Sequence, residues 1–216
     1  MSSKRIAGGA GIITVVLLVV SGFSAGSPPK TSDSAAKIGR YFLKHRSALL
    51  RADYVGMLAG FFFLIFAAGL WALARSRERE RGDFWSIVGI LGAVMTAGLA
   101  VASTAVHVTL ALRIGQLGPQ FIRVLFDVQS AVGAGIGVGI AAFLVGLGTA
   151  ARRSSSIPGW LAWFGYAIAV VGLIAVGGAA STATAFAALG FVTFLGFLVW
   201  VLVAAAKMFA EGAPAG

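Results

Sequence analysis

PQFIRVLFDVQSAVGAGIGVGIAAFLVGLGTA, residues 119–150, is long and apolar enough to cross a bilayer, yet carries Arg123 and Asp127 near one end. Spacing its residues at about 100° each around a helix puts Asp127 at the middle of a half-face of small residues. Ala131, Ala134, Gly135, Gly137, Gly139 and Gly146 belong to that half. Val132, Ile136, Ile140, Phe143 and Leu147 fall opposite. Small residues let helix backbones approach inside a membrane. The expectation is that the glycines at 135, 137, 139 and 146 pack against protein and the bulky side meets lipid. Asp127 then points inward, and an ionisable group so placed is a candidate functional site.

The rest of the chain supports a membrane setting. Of its 216 residues 59% are apolar and 11% charged, against about a quarter charged in soluble domains, so most of the chain cannot face water. Further apolar runs occupy 52–74, 84–112, 158–180 and 185–206, each near or above the roughly 20 residues a bilayer requires. The expected fold is an all-α polytopic bundle of six transmembrane helices, and the lipid bilayer is its first partner. The net charge is +10, but the basic residues sit between apolar runs, where they set topology and meet lipid headgroups rather than nucleic acid. Absence of cysteine excludes disulfides, iron–sulfur clusters and thiolate metal sites.

Residues 1–29 combine Lys4 and Arg5, an apolar run from Ile6 to Val20, and SGFSAGSPP. That fits an uncleaved anchor, the reading favoured here, or a signal peptide cut near Gly22–Gly26, which would leave five spans. Residues 30–51 alternate Ile38, Phe42, Leu43, Leu49 and Leu50 with Lys37, Arg40, Lys44, His45, Arg46 and Arg51. They read as a basic amphipathic helix in the headgroup region, or equally as a solvated lead-in to the next span. Residues 52–210 form the five-helix membrane domain and 211–216 a tail. Ser156 and Pro158 suit the start of the fifth span.

Lysines and arginines divide almost evenly between the two sides, so orientation turns on other features. A basic N-terminus ahead of the first run favours N-in. Trp71, Trp85, Trp160, Trp163 and Trp200 fall near the ends on that same side, as interfacial belt residues do. Both termini are therefore expected in the cytoplasm, and the protein in the plasma membrane, the bacterial inner membrane.

His107 shares a small, weakly polar face with Gly89, Gly92, Thr96 and Ser103, so it also points into the bundle. Asp53, His107 and Asp127 should lie at one depth near the outer side, fringed by Arg123. One reading is an outward-open polar pocket for a ligand or proton. The other is an Arg123–Asp127 pair one turn apart, with His107 hydrogen-bonded to a neighbour. His45, His107, Asp53 and Asp127 lack metal-site spacing, and no cofactor is implied. GAGIGVG, 133–139, lies within an apolar span rather than between a strand and a helix, so it is packing and not a nucleotide loop. RSRERERGD, 75–83, reads as a solvated charged cap.

The chain resembles a group of small actinobacterial integral-membrane proteins classed as a domain of unknown function. The likeness rests on YFLKHRSALLRADYVG (41–56), WALARSRERERG (71–82) and IPGWLAWFGYAIAV (157–170), and spans roughly residues 38–206. It implies a multi-pass helical protein of the plasma membrane and brings no activity, cofactor or catalytic residue. Without a catalytic pattern, the expected function is a binding or accessory bundle that docks a membrane-protein partner or a small ligand. A small permease or proton-coupled carrier using Asp127 is the alternative. Oligomeric state is not legible.

Overall fold

The computed structural model describes residues 2–23, 28–77, 84–179, 181 and 184–212, and these contain helices and no strand. The candidate cleavage region at 24–27, most of the charged turn at 78–83 and the last four tail residues lie outside them. Six helices follow in order: α1 Ser3–Phe23, α2 Ala35–Arg77, α3 Phe84–Arg113, α4 Pro119–Arg153, α5 Gly159–Ala175 and α6 Thr184–Glu211. Short 3-10 turns, Ile114–Gln116 and Val176–Ala179, follow α3 and α5. All six are long and apolar enough to cross a membrane.

The helices form a ring in chain order, closed by α1 against α6, with α2 also reaching across to α4. Ser2 Oγ donates to the Gly212 carbonyl at 3.0 Å, so α1 begins where α6 ends. That end of the bundle is called the terminal end below, and the opposite one the head end.

α1 fills its place through small residues. Ala7, Gly8, Ala10 and Gly11 are buried. A Cβ on Gly8 would stand 2.7 Å from the Ala205 carbonyl oxygen of α6. Mid-bundle, Phe63 of α2, Phe143 of α4 and Phe197 and Trp200 of α6 meet edge to face, with centroids 5.1–6.0 Å apart. Apolar burial gives little drive between helices already in lipid, so such contacts and close backbone approach hold the ring.

α4 departs from the sequence expectation. Phe143, Leu144 and Leu147 are fully buried, Ile140 nearly so, and no large apolar side chain of α4 is exposed beyond Val128. The bulky side faces protein as well, because α4 is flanked by α3 and α5 and crossed by α2. The small side divides between two neighbours. Gly146 abuts the Gly89 backbone, and a Cβ on Gly139 would stand 2.7 Å from the Thr96 nitrogen, so both lie on α3. Gly137 instead faces the Gly172 carbonyl of α5, and Gly135 meets only the tip of Leu99 at 3.3 Å.

The three longest helices, α2, α3 and α4, well exceed a bilayer. At 1.5 Å per residue, α2, α3 and α4 run about 65, 45 and 52 Å against a hydrocarbon core of about 30 Å. α2 has no break at Arg51, so residues 35–51 are continuous with the second span and do not form a helix of their own. Their apolar side packs on protein: Ile38, Phe42 and Leu49 join Leu110, Ile114, Ile122 and Phe126 in a second core at the head end.

Two smaller expectations also change. Trp160 and Trp163 are exposed, and Arg152 stacks over Trp163 at 5.1 Å, but Trp200 is fully buried and donates its Nε1–H to the Leu161 carbonyl. It is a core residue and not part of a belt. Ser156 does not cap α5: Pro158 holds the cap position without a side-chain bond, and the Ser156 hydroxyl meets Ser154 at 2.8 Å.

Candidate functional site

The head end brings the four candidate polar residues into two pairs, not one pocket. Asp53 on α2 faces His107 on α3, with Nδ1 2.8 and 3.0 Å from the two carboxylate oxygens. Both side chains are mostly buried, 13% and 19% exposed. Asp127 pairs along its own helix with Arg123, whose Nε donates to it at 2.9 Å. This pair is more open, at 47% and 34% exposure.

Phe42 explains the separation. Its buried ring packs edge-on against His107, with centroids 4.9 Å apart, and against Phe126 at 6.5 Å. Phe126 faces the head core, and Asp127, one residue further, is turned about 100° away. The apolar head core therefore occupies the space in which Asp127, His107 and Asp53 were expected to meet.

Asp127 opens instead toward a vestibule of about 270 Å³ on the other flank of α4, lined by Thr31, Arg123, Ser130 and Ser181 among others. The segment ahead of α2 forms part of its wall. Arg123 Nη1 donates to the Asp33 carbonyl at 2.8 Å. The Asp33 carboxylate in turn accepts from Lys37 Nζ at 2.8 Å and from the Lys30 backbone N–H at 2.9 Å. Those two bonds, Lys37 first, hold its carboxyl below the usual carboxylate range. With a folded-state pKa below the unfolded one, this turn is stabilised at neutral pH and loosened as pH falls through the lowered value.

The vestibule shares Thr31, Ser130, Gly178 and Ser181 with a second, more apolar cavity of about 380 Å³. Its walls come from α4 (Gly137, Ile140), α5 (Gly172) and α6 (Phe186, Gly190, Thr193). α6 meets α4 through Phe197 and Trp200 toward the terminal end, whereas nearer the head the two helices line the cavity. The hydroxyls of Ser130 and Thr193 donate to Phe126 and Leu189 carbonyls of their own helices, at 2.8 and 2.9 Å. Walls whose polar groups are already satisfied favour a hydrocarbon occupant. A Cβ on Gly190 would meet nothing within 4 Å.

The sequence reading did not reach this cavity. Its available trace is small and hydroxyl residues at helical spacing on two spans, Ser130, Gly133 and Gly137 on one and Gly190 and Thr193 on the other. Among the described residues no three histidine, aspartate or glutamate side chains converge as a metal site would need. No protein-family model, curated protein or solved structure matches the chain.

Proposed function

We propose that this is a non-catalytic binding protein of the membrane, holding a small amphiphile with its chain in the 380 Å³ cavity and its polar end in the Arg123–Asp127 vestibule. The observation that carries the proposal is the continuity of an apolar chamber with a charged mouth. The chamber lies within the roughly 300–1,000 Å³ of small-molecule sites and suits one hydrocarbon chain. Arg123 and Asp127 are then ligand contacts, while Asp53 and His107 join α2 to α3. The carrier alternative draws no support from α4, which runs unbroken past Asp127, whereas transport sites often interrupt a helix.

Monoolein, an uncharged single-chain lipid, is the first probe. It is expected to raise the Tm of the detergent-solubilised wild type and to leave that of Gly190→Phe unchanged, because the new ring fills the chamber without meeting a wall at Cβ. Equal stabilisation of both proteins would reject the cavity as the site.

The proposal extends to setting: the bacterial inner membrane, both termini cytoplasmic and the head end outside, in keeping with the actinobacterial resemblance of the three quoted motifs. Support for the orientation comes from Lys4 and Arg5 in the first turn of α1, while exposed Trp160 and Trp163 beside Arg152 suit a membrane interface at the terminal end. Topology reporters fused at Gly82 and Ser155 should read cytoplasm, and one at Gly118 exterior. The reverse pattern at all three would invert the orientation and leave the span count standing.

A further inference from the structure

We infer that the amphiphile is a single-chain phospholipid whose headgroup carries both a phosphate and a primary ammonium. This rests on the cavity reading above and names its ligand class. The vestibule offers one guanidinium and one carboxylate side by side, joined at 2.9 Å and each keeping a third to a half of its surface open. An anionic headgroup alone would satisfy Arg123 and be repelled by Asp127. An uncharged one would leave both without a gain. A phosphoethanolamine group answers both: phosphate oxygens accept from the guanidinium, and the ammonium donates to the carboxylate. Charge-assisted bonds of this kind are the strong ones.

Arg123 is held by two bonds, to Asp127 on its own helix and to the Asp33 carbonyl across the vestibule wall, so the phosphate contact is presented on a fixed fork. Asp127 is the more exposed partner. Ser130 and Thr31 line both chambers, at the junction between chain and headgroup. A quaternary choline has no N–H to donate to the carboxylate, so the site should separate it from ethanolamine.

Lysophosphatidylethanolamine, lysophosphatidylglycerol and lysophosphatidylcholine of equal chain length, each titrated into the purified full chain by native mass spectrometry, test this directly. Wild type should bind the ethanolamine lipid about tenfold more tightly than either other, the worth of one charge-assisted hydrogen bond. Asp127→Asn should erase that preference and raise binding of the glycerol lipid, since the lone guanidinium then favours an anion. Arg123→Gln should weaken all three. Equal affinities for the three lipids in wild type, with monoolein still stabilising wild type and not Gly190→Phe, would overturn the headgroup assignment and leave the cavity reading intact. Loss of the monoolein difference would remove both.

Discussion

Gly146→Ala is expected to open the α3–α4 seam and to destabilise the detergent-solubilised protein by at least the roughly 1–3 kcal/mol typical of overpacking. The added methyl would fall on the backbone of Gly89 and 2.7 Å from the Trp85 carbonyl oxygen. Backbone cannot rotate aside as a side chain does, so the helices must separate along their length. The reciprocal Gly92→Ala should behave alike, because its methyl would sit 2.8 Å from the Gly139 carbonyl oxygen. Gly135→Ala is the control: it meets one flexible Leu99 methyl at 3.3 Å and should cost well under about 1 kcal/mol. Thermal unfolding of the three variants decides. Equal losses at 146 and 135 would show that the seam does not depend on backbone contact.

Severing the Asp53–His107 pair should produce the second large loss. Removing one member of a buried pair costs about 3–5 kcal/mol. With both side chains slightly exposed, about 2–3 kcal/mol is expected for Asp53→Ala or His107→Ala. The double variant should lose much less than the sum, with a coupling energy of about 1–3 kcal/mol. Arg123→Gln and Asp127→Asn should each shift stability by no more than about 1 kcal/mol, as exposed pairs one turn apart do. Additive losses at 53 and 107 would mean that the pair does not hold α2 to α3.

The contrast between the pairs marks how far the sequence could be read. Length and apolarity are properties of single segments, so six spans were legible directly. So were the inward directions of His107 and of the glycines at 139 and 146, since each follows from helical angle and residue size. Burial of α4 on both sides was not. A face analysis assumes that one side meets lipid, and whether a helix is central depends on where its neighbours lie. Partner choice was the other gap. Arg123 and Asp127 are one turn apart and visible as a pair, whereas Asp53 and His107 lie 54 positions apart and meet only through the α2–α3 crossing. The cavity is a gap among three helices and has no sequence pattern of its own beyond small residues on its walls.

The uninterrupted course of α2 has a mechanical consequence. No proline interrupts its 43 residues and the helix is continuous from end to end, a single rod about 65 Å long. Its second half, at Phe63, Phe66, Leu70 and Leu73, is gripped by the larger bundle core. The head arm carries Ile38 and Phe42 into the second core. A load on the head arm therefore falls on the same rod that the larger core clamps, so the packing of the two ends is coupled through one helix.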